Sequence, residues 1–136
     1  MADFWIADKR TSKAEGFYSN NPNDAGGETV WGIARKRNPH WAGWVIVDEY
    51  RRKPGFPGNM RNDVNLYRLR GEFYKSEFWD KIYGDRIQSQ KVAEEKYDTA
   101  VNMGVSIAVR FSQKQAGLPE TGRMNVQVLD YLNSLV

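Results

Sequence analysis

The alternation of apolar and polar positions predicts helices over most of the chain. Its clearest stripe runs from position 64 to position 82, where apolar residues recur at spacings of three and four, as on one face of an α-helix. Asn62 or Asp63 can cap the start of this helix, and Gly84 can end it. The stripe consists of Val64, Tyr67, Gly71, Tyr74, Phe78 and Ile82. We therefore expect one long amphipathic helix whose stripe packs in the core.

A second stripe predicts another long helix, which ends at the Gly-Leu-Pro sequence of positions 117–119. A short final helix begins near Asn125, with Val126, Leu129 and Leu132 facing inward. The second stripe consists of Ala93, Tyr97, Ala100, Val101, Gly104, Ala108 and Phe111. The C-terminal half of the chain is thus predicted to be helical.

The N-terminal half combines helix with turns. Asp3 can cap a first helix that runs to Glu15, and Gly16 is a natural stop. Residues 18–27 are rich in Asn, Asp, Pro and Gly, which favour turns, so an ordered loop or a short irregular β-hairpin is expected there. A short helix beginning at Asp48 follows. Neither a repeat nor a linker interrupts the pattern, and we expect residues 1–136 to form a single, mainly α domain.

Composition narrows the chemistry. The 18 aromatic residues supply large side chains for a core, and the absence of Cys excludes disulfides and thiolate metal sites. His40 alone cannot form the usual zinc site of a metalloenzyme. No cofactor and no metal are therefore expected.

Charge and hydropathy say less about partners. The net charge of +3 favours anionic partners, and nucleic acid and cell-wall polymer both qualify. Basic and acidic residues are mixed along the chain, which is more typical of a solvated surface than of a nucleic-acid-binding stripe. Neither a signal-peptide core nor a run of roughly 20 apolar residues is present. We expect a protein made in the bacterial cytoplasm without a signal peptide and without stable membrane insertion.

The segment from Glu15 to Ile33 carries the candidate chemistry. It joins a carboxylate at a predicted helix end to a turn-rich loop that contains Asp24. Cleavage of a glycosidic bond needs a proton for the leaving oxygen and a second carboxylate across the sugar ring. The negative end of the helix dipole and burial among aromatic residues raise the pKa of an acid such as Glu15, whereas Asp24 lies in a polar loop that favours its ionised form. A solvated Glu before a Gly and an ordinary Asn-Asp turn are the plain alternatives.

These residues resemble the opening motif of the glycoside hydrolase 108 family of N-acetylmuramidases, which reads roughly Glu-Gly-Gly-Tyr, then Asn-Asp-Pro-Asn-Asp-Pro-Gly-Gly-x-Thr, an aromatic residue and Gly-Ile. The spacing of Glu, Asp and Thr also looks like that of phage-type lysozymes, although four residues precede the Thr here where those enzymes usually have five. Two positions depart from the motif, because Phe17 replaces its second Gly and Ala25 replaces a Pro. The matching residues are Glu15, Gly16, Tyr18, Pro22, Asn23, Asp24, Gly26, Gly27, Thr29, Trp31, Gly32 and Ile33.

The resemblance implies a lysozyme-like fold with a small β or loop segment near residues 17–33 beside the cleft. It implies that Glu15 is the catalytic glutamate and that Asp24 and Thr29 line the same cleft, with Tyr18 and Trp31 in contact with substrate. Glu28 can compete with Asp24 as the second carboxylate, or it is a solvated loop residue. The bulky ring of Phe17 beside the acid affects either sugar specificity or activity.

Further positions resemble later parts of the family. Residues 73–80 are similar to its aromatic helix, in which Trp79 can reach a cleft and stack on a sugar. Residues 90–136 resemble its peptidoglycan-binding C-terminal region in a shortened form. There, Asp98 and Asn102 lie four apart on one helical face, where they can bind substrate hydroxyls or cap a helix junction.

The function implied is hydrolysis of peptidoglycan between N-acetylmuramic acid and N-acetylglucosamine, with glycan strands as the partner. The expected setting is a monomeric phage or prophage endolysin that a holin helps to reach the wall, in the periplasm or outside. Two alternatives remain: a lytic transglycosylase that uses Glu15 alone, and a non-catalytic peptidoglycan-binding protein. The hypothesis of a nucleic-acid-binding module rests on the net charge alone.

Overall fold

The structure is a computed structural model, and it describes residues 1–13, 16–23 and 25–135. The predicted fold class is confirmed, because helices dominate and a small antiparallel sheet is the other regular element. In chain order the helices are α1 (Phe4–Ser12), α2 (Gly43–Arg51), α3 (Val64–Tyr74), α4 (Gln90–Met103), α5 (Val105–Ala116) and α6 (Val126–Asn133), and the strands are β1 (Tyr18–Asn20), β2 (Glu28–Val30) and β3 (Ile33–Ala34).

Backbone contacts divide the chain into two compact units. We call residues 1–12 with 74–136 the helical unit, and residues 13–73 the β-containing unit. The expectation that the whole chain is a single domain stays a prediction. Among the helices described, none has both the length and the apolar character that a bilayer crossing requires.

Three aromatic rings form the centre of the helical unit. The ring centroid of Trp79 lies 5.7 Å from that of Phe4 and 5.7 Å from that of Tyr97, and all three rings meet edge to face. The Tyr97 hydroxyl donates a 2.8 Å hydrogen bond to the carboxylate of buried Asp8, which satisfies the polar end of the ring. This cluster joins α1 and α4 to the segment that follows α3.

Side-chain caps begin α1, where the sequence predicts Asp3 as the cap, and α6, where the sequence predicts a helix start near Asn125. Asp3 accepts a hydrogen bond from the amide of Ile6 at the start of α1, and Asn125 accepts one from Val128 at the start of α6. The first helix ends at Ser12, earlier than the predicted end at Glu15. Ala14 and Glu15 lie outside the described residues.

The predicted stripe from 64 to 82 is confirmed at Gly71, Tyr74 and Ile82, which are buried, and is wrong at its start and at Phe78. Its first members are exposed, Val64 by 81% and Tyr67 by 40%. A π-helical turn, Lys75–Trp79, follows α3 and adds one residue to the repeat. The buried face therefore contains Trp79 instead of Phe78. This face consists of Leu66, Arg70, Gly71, Tyr74, Trp79 and Ile82.

The second predicted helix is two helices. Gly104 separates α4 from α5, with φ of 102° and ψ of 149°. This conformation lies outside the helical region, and glycine adopts it readily because it has no side chain. Phe111 is consequently not on the core face, and 44% of it is exposed. The predicted stop is confirmed, because Gly117 ends α5 in the left-handed conformation.

Two shorter helices also differ from the predictions. Helix α2 begins at Gly43, five residues before the predicted start at Asp48. In α6, Val126 is exposed, and Val128 joins Leu129 and Leu132 in the core. Both errors concern the face or boundary of a short helix, which packing decides more than local pattern does.

Candidate functional site

The three-stranded sheet fixes the ends of the loop that carries Asp24. Strand β1 pairs antiparallel with β2, with Tyr18 opposite Val30 and Asn20 opposite Glu28, and β2 pairs with β3. This confirms a short hairpin around residues 18–30. Asp24 itself, like Glu15, lies outside the described residues, so the separation of the two predicted catalytic carboxyl groups stays a prediction.

Thr29 lies in the middle of β2, opposite Ser19, and is half-buried. Its backbone is held between β1 and β3, since Thr29 also pairs with Ala34. The sheet therefore fixes the backbone of Thr29, which follows the loop that carries Asp24. Its role in holding a water or Asp24 stays a prediction.

Glu28 is the centre of a charged network that the sequence did not predict. Its carboxylate accepts hydrogen bonds from the Tyr18 hydroxyl, from Arg51 and, at 3.1 Å, from Arg35. Arg35 also forms a bidentate pair with Asp48 at 2.8 and 2.7 Å. Only 9% of the Glu28 side chain is exposed, so the interpretation of Glu28 as a solvated loop residue is wrong.

The network keeps Glu28 ionised. Burial raises the pKa of the Glu28 carboxyl, but the hydrogen bonds from Tyr18, Arg51 and Arg35 together outweigh burial and hold this pKa below its ordinary value. For Tyr18, burial and the bond to Glu28 raise the pKa of the hydroxyl. A carboxylate with a lowered pKa and three donors is a poor proton acceptor, which favours a structural role for Glu28.

Glu28→Gln is expected to destabilise the protein by about 2 kcal/mol near neutral pH, because Arg35 and Arg51 lose their shared carboxylate while remaining partly solvated. The folded-state pKa of Glu28 is depressed, so its contribution is present above its ordinary value of 4.5 and is lost as pH falls through the folded pKa. Urea unfolding from pH 7 down to pH 3 therefore measures a difference between wild type and variant that shrinks below about pH 4.5. Glu49→Gln, at an exposed position of α2, is the control. An equal loss at every pH contradicts the network.

Trp31 follows β2 in a strained backbone conformation. Its φ of 46° lies in the left-handed region, which costs a bulky residue of the order of 1–3 kcal/mol and is common at binding sites. The Trp31 amide donates a 2.6 Å hydrogen bond to the Phe17 carbonyl, which helps to hold the turn. The Trp31 ring lies between two other rings, with centroids 4.9 Å from Phe17 and 5.7 Å from Tyr67, both edge to face.

An open groove of about 380 Å³ adjoins Trp31 within the β-containing unit. Its volume is in the lower part of the range of small-ligand sites, about 300–1,000 Å³. The lining residues are Trp31, Arg61, Asn62, Asp63, Val64 and Tyr67. Trp31 is thus placed at a groove, as a substrate-binding residue requires. The sequence did not predict Arg61 and Tyr67 as groove residues, because no motif or spacing relates positions 61–67 to position 31.

Tyr18, a predicted substrate-binding residue, is part of the Glu28 network. Its hydroxyl is engaged by Glu28, and its ring packs edge to face on Phe56 at 5.2 Å. The hydroxyl donates its hydrogen to Glu28, so a substrate group that accepts a hydrogen bond from Tyr18 would have to displace the Glu28 carboxylate. Tyr18 therefore stays a predicted binding residue whose visible contacts belong to the network.

The prediction that Trp79 stacks on a sugar is wrong. The side chain is 0% exposed, and its indole N–H donates a 2.8 Å hydrogen bond to Asp85. Gly84 packs so closely on the ring that a Cβ at that position would lie 2.2 Å from its atoms. The π-helical turn rotates Trp79 into the aromatic cluster of the helical unit, so neither ring face is available to a glycan.

Asp98 makes a contact between two helices, and Asn102 makes a contact within α4. The Asp98 carboxylate accepts a 3.2 Å hydrogen bond from the Thr11 hydroxyl and so joins α4 to α1. The Asn102 amide donates a 2.9 Å hydrogen bond to the Asp98 carbonyl one turn earlier. Both residues are exposed. These contacts support the capping alternative, and substrate binding by the pair stays a prediction.

Within residues 1–13, 16–23 and 25–135, no group of three His, Cys, Asp or Glu side chains is placed to hold a metal ion. The described part of the β-containing unit brings carboxylates, arginines and aromatic rings together around a hairpin and a groove.

Comparisons with known proteins identify the family of this chain and a solved structure with a similar fold. Residues 9–104 match the family model described as Glycosyl hydrolase 108, which covers more than half of the chain. Among solved structures, the chain is similar to SagA from Brucella abortus, with a TM-score of 0.62 and 22% sequence identity. The similarity covers 98% of this chain and 70% of that chain, and at this identity it concerns the fold. A search of curated proteins finds no match.

Proposed function

The chain belongs to the glycosyl hydrolase 108 family, and on this premise we propose that it is an N-acetylmuramidase, which cleaves peptidoglycan between N-acetylmuramic acid and N-acetylglucosamine. The observation that carries the proposal is the family match itself, because residues 9–104 include the whole motif from Glu15 to Ile33. Phage or prophage origin stays a prediction from the resemblance.

The proposed reaction uses two carboxyl groups. Glu15 donates its proton to the bridging oxygen as the bond from that oxygen to the anomeric carbon breaks. Asp24, with Thr29 orienting the water, takes a proton from the water that attacks the opposite face of the anomeric carbon. The products are a new reducing end and a free hydroxyl on the leaving sugar. This inverting route requires carboxyl groups roughly 6.5–9.5 Å apart, whereas about 5 Å favours a retaining route.

The arrangement of the β-containing unit supports this proposal. The sheet holds both ends of the Asp24 loop, and the Glu28 network ties the first two strands to α2 through Arg51. The groove beside Trp31 supplies an aromatic wall, and aromatic faces bind the apolar faces of sugars. A rigid scaffold with a loop that carries the reacting group is the common design of enzyme sites.

The test is the chemistry of the product ends. Purified peptidoglycan is digested with the wild-type protein, and the soluble fragments are analysed by mass spectrometry before and after borohydride reduction. We expect reducible N-acetylmuramic acid ends. Fragments with non-reducible anhydro ends would instead identify a lytic transglycosylase, in which the sugar's own hydroxyl replaces water. Reducible N-acetylglucosamine ends, or no fragments at all, would contradict the proposal.

A further inference from the structure

The lining of the groove beside Trp31 includes a cation, Arg61. Arg61 is exposed, and its guanidinium carbon lies 5.4 Å from the centroid of the Phe17 ring. This distance is within the range of cation–π contacts, so the ring restricts the positions of the guanidinium. Arg61 makes no ion pair with the part of the chain that the structure describes. Its planar fork of N–H donors is therefore available to a carboxylate, the group that it matches best.

The other charged residue of the lining is engaged. Asp63 accepts a 2.7 Å hydrogen bond from the Tyr50 hydroxyl and a 2.8 Å bond from the Leu66 amide at the start of α3. The bond from Tyr50, followed by the bond from Leu66, holds the pKa of Asp63 below its ordinary value. The Asp63 carboxylate is thus hydrogen-bonded to a residue of α2 and to the backbone of α3. The groove accordingly presents one engaged anion, Asp63, and one cation, Arg61, that makes no ion pair among the described residues.

The aromatic residues connect this cation to the wall of the groove. Arg61 lies over Phe17, Phe17 meets Trp31, and Trp31 meets Tyr67. Phe17 is the residue at which the sequence departs from the Glu-Gly-Gly-Tyr motif. Its ring lies between the groove's cation and the groove's largest aromatic side chain, so a glycine at position 17 would remove the contact with both.

We propose that this groove is a subsite for an N-acetylated sugar that bears a carboxylate. Trp31 and Tyr67 bind the apolar part of the sugar, Arg61 binds the carboxylate, and Phe17 is a positioning residue that holds Arg61. The inference rests on the proposed function for the identity of the polymer, and it adds a basis for choosing peptidoglycan over neutral glycans. In peptidoglycan the carboxylate belongs either to the lactyl ether of muramic acid or to the stem peptide, and both have the same chemistry towards Arg61.

The experiment measures binding without turnover. Protein carrying Glu15→Gln is titrated calorimetrically with three oligosaccharides of equal length: chitin fragments, peptide-free peptidoglycan fragments and peptide-bearing peptidoglycan fragments. We expect at least one carboxylated ligand to bind about tenfold more tightly than the neutral one, which is the usual scale of a charge-assisted hydrogen bond. Preference for the peptide-free fragments identifies the lactyl carboxylate, and preference for the peptide-bearing fragments alone identifies the stem.

Arg61→Gln is expected to abolish this preference and leave binding of the chitin fragment unchanged. Arg52→Gln removes the same charge from an exposed position outside the groove lining and is expected to retain the preference. Phe17→Leu keeps an apolar side chain but removes the aromatic face. We expect it to reduce the preference about threefold alone and to have no further effect together with Arg61→Gln. Thermal unfolding of each variant checks that the fold is retained.

The outcomes separate this inference from the proposed function. If Arg61→Gln and Arg52→Gln keep equal preferences for carboxylated ligands, the subsite is wrong, although wild type still releases muramic acid ends. If wild type releases no fragments while Arg61→Gln abolishes the preference, the subsite stands and the hydrolase proposal fails. An equal affinity of the Glu15→Gln protein for all three ligands overturns the subsite directly.

Discussion

Glu15→Gln is expected to lower the rate of peptidoglycan hydrolysis by about 10²- to 10⁴-fold, the usual contribution of a general acid. Glutamine has nearly the same size and can still donate a hydrogen bond, but its amide cannot transfer a proton to the leaving oxygen. The loss is expected in kcat, with KM nearly unchanged, because the acid acts mainly in the transition state. Initial rates of new reducing-end formation on solubilised glycan strands measure both constants.

Glu120→Gln is the matched control for this prediction, since Glu120 is exposed in the loop between α5 and α6. It removes one carboxylate from the protein and is expected to leave the rate within twofold of wild type. Retention by Glu15→Gln of more than a tenth of the wild-type kcat would show that another group protonates the leaving oxygen.

Asp24→Asn is expected to lower kcat by about 10²-fold or more, because an amide cannot take a proton from the attacking water. The loop that carries Asp24 has defined ends, with Asn20 opposite Glu28 and an Asn21 side chain that accepts a 3.0 Å hydrogen bond from the Asn23 amide. An isosteric change at position 24 is therefore not expected to alter the hairpin. Asp130→Asn, at an exposed position of α6, is the control.

The role of Asp24 also predicts the stereochemistry of the product. If Asp24 activates water, the first product formed has the inverted anomeric configuration, which NMR of the anomeric proton detects before mutarotation. Retained configuration would assign a nucleophile instead of a base. Full activity of Asp24→Asn would remove Asp24 from the reaction and leave the second carboxylate unassigned.

The sequence predicts the helices better than the faces that they bury. Capping by Asp3 and the stop at Gly117 are local features, since each depends on a few neighbouring residues, and both are confirmed. The π-helical turn before Trp79 is not local. It places the ring against Phe4 and Tyr97, which lie 75 residues earlier and 18 residues later in the chain, and a four-residue repeat cannot anticipate that packing.

The candidate site was predictable only where the motif is continuous in sequence. The hairpin, Thr29 and Trp31 all belong to the segment that carries the resemblance, whereas Arg61 and Tyr67 reach the groove from 30 or more residues downstream. The Glu28 network was missed for the same reason, because its arginines come from positions 35 and 51. Charge alone does not indicate which of 20 basic residues will pair with a given carboxylate.

Clearing of purified cell walls is the most direct test of the central claim, that one glutamic acid makes this chain a glycan-cleaving enzyme. Wild-type protein and Glu15→Gln are added to wall suspensions, turbidity is followed, and the protein that sediments with the walls is measured. We predict that wild type clears the suspension, whereas Glu15→Gln sediments with the walls and leaves them turbid. Equal and negligible clearing by both proteins, with both bound to the walls, would contradict the account and identify a wall-binding protein.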